Sequence, residues 1–191
     1  MSDATEARTA TDALSPAVRG RLTELTDTLR SQLGDELVSL VVFGSAARGG
    51  WVERQSDVDL VLVLRDPRRD VLLGIANTLN VARNALRFEA VILAADEISR
   101  AADVFPLFYD DIKGKHVVLA GKDPFVELEI SDRHRRLRIE QELREMCIRL
   151  RRAVVDTQGA PERLAGLVER KVKQLRGPLH ALLALRKTPA P

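Results

Sequence analysis

Between Val18 and Leu33 apolar side chains recur every third or fourth residue, at Val18, Leu22, Leu25, Leu29 and Leu33. That spacing places them on one stripe of an α-helix. Ser15-Pro16 reads as its N-cap followed by proline at the first helical position, and Gly34 as its end. Leu37–Phe43 and Val58–Leu64 have another texture: dense runs of β-branched and aliphatic residues, which predict buried strands. From Pro67 the helical spacing returns with Val71, Leu72, Ile75, Leu79 and Ala82. Phe88–Leu93 predicts a third strand. Val117–Leu119 predicts a short fourth, stopped by the turn Gly121-Lys122-Asp123-Pro124.

After that turn the pattern becomes helical throughout. Ser131 to Asp156 reads as one long helix with Leu137, Leu143, Cys147, Leu150 and Val154 on one face. Gln158–Pro161 is a loop. Pro161 opens a further helix with Leu164, Leu167, Val168, Val172 and Leu175, which Gly177-Pro178 is expected to break or bend before a last helical stretch to Leu185. The expected fold is α+β: a small mixed β-sheet flanked by helices, followed by an all-helical bundle. Its expected domains are residues 15–125 and 126–187, with a flexible N-terminus over 1–14. No internal repeat is visible.

Composition narrows the class. About 45% of the 191 residues are apolar and 30% charged, as in an ordinary globular protein. No apolar run approaches the roughly 20 residues that span a bilayer. The acidic, polar start Met-Ser-Asp-Ala-Thr-Glu lacks the pattern of a secretory signal, so the cytoplasm is the expected compartment. A single cysteine, Cys147, excludes an internal disulfide and a cysteine-based zinc site. His116, His134 and His180 offer no metal spacing, so any metal must be held by carboxylates. From Ser131 onward 15 Lys/Arg stand against 7 Asp/Glu, a net charge of +8, while the preceding residues carry 15 and 21, a net −6. Such asymmetry can mark a face for an anionic partner or simply the basic surface of Arg-rich helices.

The chemistry concentrates between Phe43 and Leu60. A buried strand ends at Gly44-Ser45, small residues follow, and Asp57-Val58-Asp59 opens the next strand. Residues i and i+2 of a strand share a face, so Asp57 and Asp59 project together. Their mutual repulsion is relieved by a cation, and Mg²⁺ prefers carboxylate oxygens completed by water and substrate phosphates. Gly44 lets a backbone approach a phosphate closely. The Ser45 hydroxyl and the N–H groups of a following helical turn favour an anion. Glu89, charged within the otherwise apolar strand Phe88–Leu93, is the candidate third carboxylate; a solvent-facing strand end is its bland alternative. Gly-Ser and Asp-x-Asp each arise often by chance. Their joint occurrence between two strands, followed by helix and acid-bearing strand, is specific.

This segment resembles the signature of minimal nucleotidyltransferases of the polymerase-β-like superfamily. Gly44-Ser45, Ala47-Arg48-Gly49 and Ser56-Asp57-Val58-Asp59-Leu60 carry the resemblance, which is strongest over residues 37–94. The helical C-terminal part is similar to the bundle of kanamycin-nucleotidyltransferase-like relatives. The resemblance implies a nucleoside triphosphate, ATP by expectation, seated against Gly44-Ser45 and Mg²⁺ or Mn²⁺. It implies that Asp57, Asp59 and Glu89 hold the metals, that Glu89 takes a proton, and that a hydroxyl of a small molecule or protein attacks the α-phosphorus. Arg48 would touch a phosphate or be a plain surface arginine.

A second reading is an antitoxin-like regulatory protein that neutralises a partner protein by nucleotidylation or binding. A third, nucleic-acid binding, draws on Arg133, Arg135, Arg136 and Arg138, and on Arg149, Arg151 and Arg152. One Trp, one Tyr and five Phe leave little for base stacking, and no recognition motif supports it. An apolar helical face left uncovered would favour a homodimer.

Overall fold

The computed structural model describes residues 14–53 and 55–186, with Leu86 described by its backbone alone. The expected flexible stretch 1–14 thus lies outside the described residues except for Leu14, which is buried against the core. Helix α1 spans Pro16–Leu33; the Ser15 hydroxyl accepts from the Val18 N–H at 3.4 Å, and Gly34 follows the last turn. A 3₁₀ turn over Gly34–Glu36 leads into β1, Leu37–Phe43. Then come α2 (Gly44–Arg48), β2 (Val58–Leu64), α3 (Arg69–Leu86) and β3 (Phe88–Ala94). The remaining elements are α4 (Ile98–Ala101), α5 (Pro106–Gly114), β4 (Val117–Gly121), α6 (Asp132–Asp156) and α7 (Pro161–Leu185).

The four strands form one mixed sheet in the order β3-β2-β1-β4. β1 runs antiparallel to β2 and β4, while β2 and β3 are parallel, as the intervening α3 crossover allows. Central position explains the unbroken apolar runs of β1 and β2: Leu40–Val42 and Leu60–Leu64 are fully buried. β3 lies at an edge, and Val91 and Ile92 are exposed there. Leu22, Leu25 and Leu29 of α1 share one core with Leu40, Leu62 and Ile75. Each fully buried Leu or Ile contributes roughly 1.5–3 kcal/mol. Among the described residues no helix is long and apolar enough to cross a membrane.

The chain divides into two compact units. Of the described residues, one unit comprises those up to Arg100 together with Asp111–Leu128; the other comprises Ala101–Asp110 and those from Glu129 onward. Within the second, Arg135 grips Asp110 with two hydrogen bonds, of 2.6 and 2.7 Å, between half-buried side chains. A bidentate pair of this kind is strong and directional.

Two local expectations need correction, and two short helices add to them. α3 starts at Arg69 rather than Pro67, because Arg68 holds the extended backbone of an N-cap. Of the break or bend expected at Gly177-Pro178, the break does not occur: α7 continues through Pro178 as one helix. Proline removes one helical hydrogen bond, and burial of the Pro178 ring offsets that loss. α4 and α5 were not anticipated, since neither is long enough to show a clear period.

β4 meets β1 unusually closely at Gly121, which pairs with Ser39 at φ +78°. A Cβ at this position would run into the Val38 carbonyl oxygen. Gly121→Ala should therefore destabilise the protein by at least about 1–3 kcal/mol, the cost of a left-handed backbone alone. Urea unfolding checks this; an unchanged midpoint would contradict the close β1–β4 approach.

Candidate active site

The site lies where β1 ends and β2 and β3 begin. Phe43 pairs with Asp59 across the antiparallel ladder, and Asp59 pairs in turn with Glu89 across the parallel one. Residues in register on neighbouring strands point to the same face. Asp59 and Glu89 are therefore neighbours on one face, and Asp57 stands just before the first residue of β2. The intervening loop is anchored rather than loose. Trp51 packs against the core, the Ser56 hydroxyl accepts from the Val52 N–H at 3.1 Å, and the Gly50 N–H donates to the Ser45 carbonyl at 3.0 Å.

Gly44 begins α2 at φ +68°, a left-handed conformation that glycine adopts without penalty. A Cβ on Gly44 would collide with the Asp59 carboxylate. The close approach that glycine permits here is thus first of all to Asp59. Ser45 follows as the second residue of α2, partly accessible at the helix start. Gly49 closes the helix at φ +82°.

Charge is unbalanced around Asp59. Its carboxyl is pushed up from the ordinary 3.8 to about 6. Burial contributes most; Asp57 and Asp111 add like-charge repulsion, Arg48 opposes them, and Glu89 adds a smaller repulsive effect. Arginines hold the surrounding acids. Arg87 donates to Asp57 at 2.7 Å, Arg83 to Glu89 at 3.0 Å and Arg48 to Asp111 at 2.5 Å. Each of these pairs is substantially exposed and so contributes little stability by itself.

Sequence reasoning missed Asp111, Arg83 and Arg87. Arg83 lies in the last turn of α3, and Arg87 caps it at φ +56°. Basic residues at a helix C-terminus, just ahead of an acid-bearing strand, were the available signal. Asp111 carried none, because α5 was not anticipated.

Asp57, Asp59 and Glu89 interact electrostatically. Even so, no three acidic, histidine or cysteine side chains among the described residues are gathered closely enough to form a ready metal-holding group. Asp57 and Glu89 are instead each paired with an arginine, Arg87 and Arg83. The donors themselves suit a hard divalent ion. All are carboxylate oxygens, and Asp59, raised chiefly by burial and then by the repulsion of Asp57 and Asp111, would regain its charged form beside a cation.

Folded Asp59 keeps its proton up to about pH 6, whereas the ordinary carboxyl loses it near 3.8. Across that window the folded state binds the extra proton, so stability falls as pH rises. Asp59→Asn should remove this dependence and raise the stability of the chelator-treated protein at neutral pH. Urea unfolding of both proteins between about pH 4 and 6 measures it. A constant difference between them across the window would exclude the burial and like-charge account.

No curated protein sequence matches the chain. Among solved structures, spectinomycin adenyltransferase AAD(9) from Enterococcus faecialis, determined with ATP and spectinomycin, has a similar fold. It is 17% identical, with 88% of this chain and 89% of that chain covered and a TM-score of 0.52. A toxin-antitoxin structure with AMP-PNP is 17% identical over 72% of this chain and 98% of that chain, at a TM-score of 0.39. The family model described as the nucleotidyltransferase domain matches residues 22–147, well over half of the chain and the whole of the segment from Gly44 to Glu89. The chain therefore belongs to the nucleotidyltransferase domain family, and it is a nucleotidyltransferase enzyme.

Proposed function

We propose that the protein transfers a nucleoside monophosphate from a nucleoside triphosphate, ATP by preference, to a hydroxyl of a small molecule or protein. The observation that carries this reading is the in-register pairing of Asp59 with Glu89, beside a glycine that only a missing side chain keeps clear of Asp59. The similar spectinomycin adenyltransferase was determined with ATP, which supports ATP as the donor.

Asp57, Asp59 and Glu89 would hold Mg²⁺ or Mn²⁺, which when bound would neutralise the phosphates and stabilise both the attacking and the leaving oxygens. The Ser45 hydroxyl and the first N–H groups of α2 donate to a phosphate oxygen. Arg48 turns from Asp111 to a phosphate, exchanging one exposed anion for another. With a cation bound, Glu89 and Asp57 would be freed from Arg83 and Arg87 to hold it. The acceptor oxygen then attacks the α-phosphorus, the α–β phosphoanhydride bond breaks, and pyrophosphate leaves with the electron pair. Glu89 takes the hydroxyl proton.

Labelled ATP and other nucleoside triphosphates, incubated with the protein, Mg²⁺ and host extract, would identify donor and acceptor together. Glu89→Gln should keep most affinity for Mg²⁺–nucleotide in calorimetry. It should lose transfer by on the order of 10²-fold, as expected when a general base acting in the transition state is removed. Asp59→Asn should lose both. Transfer by Glu89→Gln at the wild-type rate would make Glu89 a bystander at the strand end and require another proton acceptor.

A further inference from the structure

The second unit carries an apolar groove along α6 and α7, helices joined by the short connection 157–160. It has a volume of about 650 Å³, and Ile139, Leu143, Leu182 and Leu185 form its floor. The apolar surface extends beyond the groove. Val168, Val172, Leu179 and Leu182 of α7 are all exposed. With Leu175 they recur at spacings of three and four, so they form one stripe that runs into the groove at Leu182. On α6, exposed Val154 stands in line with Leu143 and Cys147 by the same period. From Val168 to Leu185 the stripe is about 25 Å long at 1.5 Å per residue, roughly five helical turns. That length exceeds what a small ligand covers and suits another helix.

The rim is basic. Arg136, Arg144, Arg151 and Arg186 border the floor, with Glu140 the single acid among the described residues. Arg144 is spent on Glu140. Among the described residues Arg136 and Arg151 make no ion pair or side-chain hydrogen bond. A second copy laid on this groove about a twofold axis would set the arginine rim against itself. Nucleic acid would satisfy the rim and leave the apolar floor uncovered.

We propose that the groove is a docking site for an acidic amphipathic helix of another protein. Apolar residues at i, i+3 or i+4, and i+7 seat on the floor between Leu143 and Leu182, and flanking Asp or Glu side chains pair with Arg136 and Arg151. The site uses no residue of the nucleotidyl-transfer centre.

The test is fluorescence anisotropy on the full chain with a labelled helical peptide of about five turns, carrying a leucine stripe flanked by glutamates. A matched peptide has lysines in place of the glutamates. The acidic peptide should bind saturably, more weakly as salt rises, and at least about tenfold more tightly than the basic one. Arg136→Glu with Arg151→Glu, both exposed positions, should reverse that preference while leaving the melting temperature unchanged. Leu182→Asp should weaken both peptides. Equal binding of the two peptides, or an unchanged preference in the double arginine variant, would overturn the proposal. A dimer in analytical ultracentrifugation that Leu182→Asp dissociates would overturn it too, by assigning the groove to a second copy.

Discussion

Phe43 and Asp59 face each other across the β1–β2 ladder, and the backbone at Gly44 passes against the Asp59 carboxylate with no room for a side chain. That register holds the site together. Because side chains alternate along a strand, a slip of one residue would turn Asp59 toward the core and bring Leu60 to the site. Burial of Leu40, Val42, Leu60 and Leu62 opposes such a slip at every step. The same core that stabilises the fold thereby fixes where the carboxylates stand.

The electrostatics follow from that constraint. Packing draws Asp59 out of water while Asp57, Asp111 and Glu89 remain near it, so its carboxyl is held above the usual range. Arginines from α2, α3 and the end of α3 moderate the excess without abolishing it. Their exposed pairs are weak enough to exchange for a cation or a phosphate at small cost. Under the proposed function, carboxylates held only by exposed, exchangeable partners would suit a charged substrate arriving with counter-cations.

The second unit is organised differently. Its apolar faces are narrow helical stripes, and one of them stays uncovered along α7. The arginines beside it follow from the same sequence bias that gives the C-terminal part its positive charge. What reads in composition as a basic surface becomes a specific arrangement only when helical periodicity places Arg136 and Arg151 around Leu143 and Leu182.

The sequence by itself determined the extent of β1 and β2, the start and end of α1, and the span of α6, because these depend on local apolar period and on caps. It also marked Gly44, Ser45, Asp57, Asp59 and Glu89, since a glycine, a paired Asp and an acid in an apolar strand each break the local pattern. Strand order, and hence the adjacency of Asp59 to Glu89, came only from the tertiary structure, because pairing joins residues far apart in the chain. So did the part played by Asp111, Arg83 and Arg87, which look like ordinary surface charges until the fold brings them to the acids. The continuity of α7 through Pro178 was likewise hidden, because burial of the ring in three dimensions outweighs a local rule.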